Sequence, residues 1–219
     1  RGPSHVAPAF SSLEIVDLIY YELKRPQDVL LLSKGHGCLA QYVVLESLGL
    51  IKADDPHFGG HPDRGGPIEA STGSLGHGLG IAVGMAYAEY LKGTDNRIYC
   101  VVSDGELQEG STWEAARLAA QLKLGNLIVF VDANRYGGME RIEVSDTLFM
   151  AANWALRSAD GHDADVMRGL IKIRPSGMPY VLVGHTIKGK GAAFMLDKPI
   201  WHYKSPNKEE LEIAMAENA

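Results

Sequence analysis

An aspartate and an asparagine, about thirty residues apart, each follow a short apolar segment of the sequence. Asp104 follows the apolar residues 98–102, and Asn134 follows the apolar residues 127–131. A helical pattern over residues 111–122 lies between the two segments. Two such segments joined by a helix predict neighbouring parallel strands in a sheet that is buried on both faces. Because ligands of these sheets bind beyond the carboxyl ends of the strands, we expect Asp104 and Asn134 to lie side by side there.

The chemistry that this pair could support is the binding of a hard divalent cation. A carboxylate and an amide oxygen suit Mg²⁺ or Ca²⁺ better than zinc. A backbone carbonyl and phosphate oxygens usually complete such a site, and Gly105 would let the backbone approach an anion closely. The alternative is that Asp104 caps the next helix and Asn134 forms an ordinary turn. These two residues alone do not separate the two interpretations.

Histidines are the second group of candidates, because a neutral imidazole both donates and accepts hydrogen bonds near neutral pH. His36 and His61 lie beside glycines in predicted loops, and His202 lies in a loop after Pro199. His5 is close to the beginning of the sequence, where a disordered segment is the alternative. For three others, a structural or solvated role is the favoured interpretation: His57, His162 and His185.

Two glycine-rich segments raise the question of phosphate binding. Residues 71–80 lack the G-x-G-x-x-G spacing, which excludes a dinucleotide fingerprint there. Lys188 and Lys190 alternate with glycines, and they could either neutralise a phosphate or form a solvated turn.

The spacing of apolar residues predicts the elements that position these side chains. A first helix is predicted over residues 12–23, with Ser11 or Ser12 as its N-cap. Further helices are predicted over residues 38–48, 79–92, 111–122 and 164–172, strands over 97–103, 126–132 and 180–185, and a loop over 52–72. We therefore expect an α/β fold, an open parallel sheet with helices on both faces, in one domain over residues 1–219.

Composition and charge exclude several classes of partner. The net charge of -6 gives no general attraction to nucleic acid or to an anionic membrane. Apolar runs such as residues 127–131 are too short to cross a bilayer, and residues 1–10 lack the apolar core of a signal peptide. Cys38 and Cys100 lack a metal-ligand spacing and are expected to be free thiols. The expectation is a soluble cytoplasmic protein.

Longer motifs around these residues resemble the transketolase family. Residues 103–110 and 132–134 together resemble its thiamine diphosphate motif, which begins with Gly-Asp-Gly and ends at an asparagine about thirty residues later. Six further segments resemble family motifs in the same order: residues 33–37, 60–63, 71–79, 160–163, 186–191 and 201–206. The last of them is most similar to the N-terminal subunit of split transketolases. The resemblance implies a PP-type domain, the α/β domain that binds the diphosphate.

The resemblance implies that this domain binds thiamine diphosphate together with Mg²⁺ or Ca²⁺. The cation would be held by Asp104, Asn134 and the backbone carbonyl of Tyr136. Gly105 and Glu109 would belong to the cofactor-binding residues. Gly105 would contact the diphosphate, and Glu109 would form part of a carboxylate network at a subunit interface.

A partner subunit is also implied. The aminopyrimidine of the cofactor would meet the carbonyl of Gly73 and pack against Leu75. In the family, the glutamate that activates this ring belongs to a pyrimidine-binding domain, for which 219 residues leave no room. The resemblance therefore implies a C-terminal transketolase subunit that carries this domain, in a 2+2 hetero-oligomer.

The activity implied is the transfer of a two-carbon ketol unit from a ketose or ketose phosphate to an aldose. His36 and His202 would touch the diphosphate and line the reaction pocket, and His5 and His61 would bind sugar hydroxyls and assist proton transfer. The alternatives are another thiamine diphosphate enzyme, such as a deoxyxylulose-phosphate synthase or a 2-oxoacid dehydrogenase, and a non-catalytic subunit. The pair His61 and His202 favours a transketolase.

Two single residues and one short segment are among the departures from the family pattern. Ser103 replaces the first glycine of the cofactor motif, and His77 stands where many members have glutamine. Residues 136–138, Tyr-Gly-Gly, replace an apolar stretch, so the packing over the cofactor would differ there.

Overall fold

A five-stranded parallel sheet forms the centre of the chain, whose computed structural model describes residues 5–52, 59–144 and 147–218. The strands are β1 (Val29–Leu32), β2 (Ile98–Ser103), β3 (Leu127–Ala133), β4 (Tyr136–Gly137), β5 (Glu140–Arg141), β6 (Ala155–Asp160) and β7 (Tyr180–His185). The large sheet has the order β1-β2-β3-β7-β6, and all of its neighbours are parallel. β4 and β5 form a small antiparallel hairpin.

Helices cover both faces of the sheet. They are α1 (Val6–Leu18), α2 (Cys38–Ser47), α3 (His77–Lys92), α4 (Gly110–Gln121), α5 (Thr147–Ala151), α6 (Ala164–Lys172) and α7 (Lys208–Glu217). α1, α2 and α6 share one apolar core with the sheet, and α3, α4 and α5 share the other. The predicted open parallel α/β sheet is confirmed. In the described part of the chain, none of the helices combines the length and apolarity that crossing a membrane requires.

The central strands read as unbroken apolar runs because both of their faces are covered. On β2, Tyr99 and Val101 point into the core with α1, whereas Cys100 and Val102 point into the core with α3. Every residue of β2 and β3 is buried. The three predicted strands are confirmed to within one residue at each end.

The first predicted helix was placed too late in the sequence, and its predicted caps are wrong. α1 begins at Val6, with His5 at the N-cap position, and continues after Leu18 as one π-helical turn. Ser11 and Ser12 are fully buried inside the helix and are not its caps. Pro8 lies in the first turn, where proline costs no intrahelical hydrogen bond. The four helices predicted after it begin and end within two residues of the predicted positions.

Two glycines of α3 provide a test of how tightly this helix packs on the sheet. A Cβ at Gly78 would overlap Ser33, whereas a Cβ at Gly84 would meet no atom within 4 Å. We expect Gly78→Ala to lower the free energy of unfolding by about 1–3 kcal/mol, the usual cost of overpacking. Gly84→Ala should raise it by about 0.5–1 kcal/mol, because alanine is the better helix former. Urea unfolding of the two variants measures both effects, and equal effects would contradict the packing of α3.

Candidate functional site

A cavity of about 420 Å³ opens at the carboxyl ends of β2 and β3. All of the predicted site residues line it: His5, His36, His61, Gly73, Leu75, Asp104, Gly105, Glu109, Asn134, Tyr136 and His202. Lys188, one of the two lysines that could neutralise a phosphate, also lines the cavity, as do Pro8, Gln108 and Tyr203, to which the sequence assigned no functional role. Except for residues 160–163, the segments that resemble the family motifs therefore each contribute to this one cavity.

Asp104 and Asn134 lie directly after β2 and β3, two neighbouring parallel strands that end at the same edge of the sheet. Ser103, the last residue of β2, pairs with Asp132 of β3. The Arg135 N–H donates to the Asp104 carboxylate, so the backbone directly after Asn134 touches Asp104. The Gly105 N–H also donates to this carboxylate, at 2.9 Å. The expectation that Asp104 and Asn134 lie together is met, although the amide of Gly105 faces Asp104 in this arrangement.

The ligand atoms that Asp104, Asn134 and the backbone around them offer fit a hard divalent cation. Burial first, and then the nearby carboxylate of Asp132, raise the pKa of Asp104 to about 7. A buried carboxylate in this condition gains from a bound cation, which would stabilise its charged form. No cluster of three or more His, Cys, Asp or Glu side chains suited to a metal occurs among the described residues. A cation here would therefore depend on carboxylate, amide, carbonyl and ligand oxygens, as Mg²⁺ and Ca²⁺ do.

A buried ion pair that was not predicted from the sequence lies close to Asp104 and Asn134. The Lys34 and Asp132 side chains are both fully buried, and the Lys34 ammonium donates to the Asp132 carboxylate. It also donates to the Pro8 carbonyl at 2.6 Å and to the Ser11 hydroxyl at 3.0 Å. All three N–H groups of Lys34 are thus used within the protein. Its charge balances Asp132 and is not presented to the cavity.

Glu106 is a second buried charge that the sequence did not single out. Its carboxylate accepts hydrogen bonds from Ser33, from the Ser103 N–H and from the Gly76 N–H. These bonds join the ends of β1 and β2 to the start of α3. Ser103, and not Asp104, forms the capping box of the short 3-10 turn after β2. The alternative interpretation of Asp104 as a cap is therefore wrong.

Four histidines gather on one side of the cavity. The His5 ring lies between the others, with centroid distances of 5.6 Å to His36, 5.9 Å to His61 and 5.1 Å to His202. Burial lowers the pKa of His5, lowers that of His36 well below its usual value, and lowers that of His202 to about 3. These three imidazoles are consequently neutral at pH 7, the state in which each can donate one hydrogen bond and accept another.

Lys188 and Lys190 differ in their surroundings. Lys188 is buried at the cavity, where its ammonium donates to His202 Nδ1 at 2.7 Å and to the Gly138 carbonyl at 3.1 Å. Burial lowers the pKa of Lys188 to about 8. The Lys190 side chain is 44% exposed and lies 4.0 Å from Glu14. Lys190 therefore lies in a solvated turn, whereas Lys188 is a charged group at the cavity.

Gly73 and Leu75 also form part of the cavity wall. Gly73 has a φ of 151°, and a Cβ there would lie 2.9 Å from the His61 ring. Both the backbone conformation and the close approach of His61 therefore require glycine. Leu75 is 38% exposed and gives the wall an apolar contact surface.

The remaining histidine interpretations can be compared with the structure at two positions. His162 Nε2 accepts a hydrogen bond from the Ile187 N–H at 2.9 Å, and His185 lies 2.7 Å from the Ser158 hydroxyl. Neither lines the cavity with the four histidines, which agrees with structural roles. His57 lies outside the described residues.

The low pKa of His202 predicts a loss of stability in mild acid. The unfolded chain takes up a proton at His202 near about pH 6.5, whereas the folded chain does so only near pH 3. The free energy of unfolding should therefore fall as the pH decreases from about 6.5 to about 5. We expect His202→Gln to reduce the change in the free energy of unfolding per pH unit. The largest possible reduction is about 1.4 kcal/mol per pH unit, the value for one proton. Urea unfolding at several pH values measures it. His185→Gln, at an exposed histidine outside the cavity, is the control, and an unchanged slope in His202→Gln would contradict the neutral state.

Comparisons with known proteins agree with this site. The family described as transketolase, thiamine diphosphate binding domain, matches residues 23–214. One of the subunits of the apulose-4-phosphate transketolase of Actinobacillus succinogenes is 36% identical over 97% of this chain and 87% of its own length. The 6-deoxy-6-sulfo-D-fructose transketolase subunit SqwG of a Clostridium species is 34% identical over 99% of this chain and 88% of its own length.

A solved structure gives the same result for the fold. The transketolase from Leishmania mexicana superposes on 96% of this chain with a TM-score of 0.80 and 25% identity. The match covers 40% of that protein, so this chain spans less than half of a single-chain transketolase. By sequence and by structure, the chain belongs to the transketolase family, within which it matches the thiamine diphosphate binding domain.

Proposed function

We propose that the chain is the diphosphate-binding subunit of a split, divalent-cation-dependent transketolase that moves a two-carbon ketol unit from a ketose phosphate to an aldose. The observation that carries the proposal is the meeting of Asp104 and Asn134 with four histidines in one cavity. Subunits of two sugar-specific transketolases are similar over nearly the whole chain, which supports ketol transfer as the reaction.

The cation and the diphosphate would be held at the ends of β2 and β3. Asp104, the Asn134 amide oxygen and the Tyr136 carbonyl would bind Mg²⁺, and Gly105 would face the diphosphate. Lys188 adds a buried positive charge on the same wall, which would offset the charge of the diphosphate. Gly73 and Leu75 would contact the aminopyrimidine. Thiamine diphosphate, when bound, supplies the carbon nucleophile and the electron sink for breaking a bond next to a ketose carbonyl.

The histidines would bind sugar hydroxyls and move protons, and two of them have defined tautomers. His5 Nδ1 lies 2.7 Å from the His202 carbonyl, so it must carry the proton of this neutral imidazole. His5 Nε2 is then a hydrogen-bond acceptor and a base. His202 Nδ1 accepts from the Lys188 ammonium, which leaves the proton on Nε2 as a donor. The cavity thus presents an acceptor beside a donor, the arrangement that general acid–base catalysis on a hydroxyl requires.

A partner would complete the site. Glu109 is exposed at the cavity, in the position where the family pattern implies a carboxylate network between subunits. We expect a C-terminal subunit with the pyrimidine domain, in a 2+2 assembly with this chain as a single PP domain. A cytoplasmic location agrees with the free thiols of Cys38 and Cys100.

The test is to express this chain with a C-terminal transketolase subunit from the same organism and to assay ketol transfer. We expect transfer from a ketose phosphate only when both subunits, thiamine diphosphate and Mg²⁺ are present, and we expect EDTA to abolish it. Either subunit by itself should be inactive. Turnover of a 2-oxoacid in place of a ketose would overturn the transketolase assignment. Binding of the cofactor by an inactive complex would indicate a non-catalytic subunit.

A further inference from the structure

The side-chain amide of Asn134 is held at both of its ends. Its Oδ1 accepts a hydrogen bond from the Tyr136 N–H at 3.1 Å, and its Nδ2 donates to the Ser11 hydroxyl at 3.3 Å. Asn134 lines the cavity, whereas Ser11 is fully buried behind the cavity wall. The nitrogen end is therefore anchored inside the protein, and the oxygen end, at the other side of the amide, keeps one lone pair beyond the one that accepts from Tyr136.

The orientation of this amide follows from the partners of Ser11. The Ser11 hydroxyl accepts from the Lys34 ammonium at 3.0 Å, and it donates its single proton to the Asp132 carboxylate at 2.7 Å or to the Pro8 carbonyl at 3.0 Å. Its remaining lone pair accepts from Asn134. Because Lys34 and Asp132 use the other positions of the hydroxyl, Ser11 has no proton to offer to an amide oxygen.

A flipped amide would be rejected at both ends. The Asn134 oxygen would then face a Ser11 hydroxyl whose proton is already used, and the Asn134 NH₂ would face the Tyr136 N–H, another donor. Each mismatch leaves a buried polar group without its hydrogen bond, at a cost of about 1–3 kcal/mol. The observed orientation is the one that presents an oxygen, which is the atom that a hard cation binds.

We propose that Ser11 is a positioning residue for the cation site, which uses the Lys34–Asp132 pair to hold the Asn134 amide with its oxygen toward the cavity. This inference rests on the proposed function, because it assigns Ser11 to the cation that Asp104 and Asn134 would hold. Residues that orient metal ligands typically change metal affinity by about 10–100-fold when they are removed.

The test measures protein-bound Mn²⁺ by electron paramagnetic resonance, with the chain in complex with its C-terminal subunit and at a fixed concentration of thiamine diphosphate. We expect Ser11→Ala to weaken Mn²⁺ binding about 10-fold or more. Ser12→Ala is the matched control, because Ser12 is the neighbouring buried serine of α1 and, among the described residues, its hydroxyl bonds only to the helix carbonyls of Pro8 and Ala9. We expect Ser12→Ala to bind Mn²⁺ as the wild type does.

A second comparison separates orientation of the amide from general damage to the fold. Asn134→Asp places oxygen atoms at both ends of the side chain, so no orientation has to be chosen. In that background, Ser11→Ala should change Mn²⁺ affinity less than about 3-fold, well below its effect in the wild type, if Ser11 acts by orienting the amide. An equal loss in both backgrounds would overturn the inference. If the wild type binds Mn²⁺ and Ser11→Ala does not change the affinity, the inference is also overturned. If the wild type does not bind Mn²⁺ at all, the proposed function itself is contradicted.

Discussion

Replacement of Asp104 by asparagine should abolish cation-dependent binding of thiamine diphosphate while the chain without ligands still folds. The carboxylate is buried and its pKa is raised to about 7, so without a cation its charged form costs free energy. Asparagine has nearly the same shape and removes that cost, but its NH₂ group would face one of the two backbone N–H groups, of Gly105 and Arg135, that the carboxylate accepts. The two effects on stability offset each other, whereas the loss of the charged ligand acts on binding alone.

Thermal unfolding with and without Mg²⁺ and thiamine diphosphate measures both effects. At about 100 times its dissociation constant, a ligand stabilises the folded chain by about 2.7 kcal/mol. We expect Asp104→Asn to lose this stabilisation completely. Asp95→Asn is the control, because its side chain is 81% exposed and pairs with Arg25 away from the cavity. Ligand-dependent stabilisation that survives in Asp104→Asn would show that Asp104 does not hold the cation.

Replacement of Lys34 by methionine should have the largest effect on folding. The Lys34 ammonium and the Asp132 carboxylate are both fully buried, and methionine would leave the carboxylate without its counter-charge. Removing one partner of such a pair typically costs about 3–5 kcal/mol. This cost is a large share of the free energy of unfolding of a native protein, which is about 5–15 kcal/mol. Urea unfolding measures the loss directly.

Arg141→Met is the matched control for Lys34→Met. Arg141 also pairs with an aspartate, Asp197, but the two side chains are 61% and 47% exposed. Pairs of this kind contribute about 0–1 kcal/mol, so we expect only a small change. Similar losses in Lys34→Met and Arg141→Met would contradict the assignment of Lys34 to a buried, balanced pair.

The strands that could be predicted from the sequence are those whose burial produces a recognisable pattern of apolar residues. β2, β3 and β7 lie at the centre of the sheet, and burial on both faces gives unbroken apolar runs. β6 was not predicted because it is an edge strand with partly exposed residues, and its sequence Ala-Leu-Arg-Ser-Ala-Asp shows no such run. β1 was missed because its apolar run is only four residues long.

The candidate site could be located from the sequence because its residues follow the predictable strands. Asp104 and Asn134 had to converge once β2 and β3 were neighbours. The buried charges could not be predicted in this way, because the burial of Lys34 depends on packing between α1, β3 and the loop after β1. Lys188 resembles Lys190 in the sequence, and only the fold separates a residue that is 1% exposed from one at the surface.

Helix α1 shows how a missed boundary affects the site. The sequence placed its start near Ser12, since serine is a common cap before an apolar stripe. The additional helical residues 6–11 bring His5 to the cavity and turn Ser11 into an internal residue that bonds to Asp132 and Asn134. The catalytic candidate His5 and the proposed positioning residue Ser11 both depend on this part of the helix.

The most direct test of the central claim is to locate Mn²⁺ by anomalous X-ray scattering in crystals of the chain grown with Mn²⁺ and thiamine diphosphate. We predict one cation bonded to the Asp104 carboxylate, the Asn134 amide oxygen and the Tyr136 carbonyl, with the diphosphate beside it. A cation bound elsewhere, or a diphosphate bound away from the ends of β2 and β3, would contradict this claim.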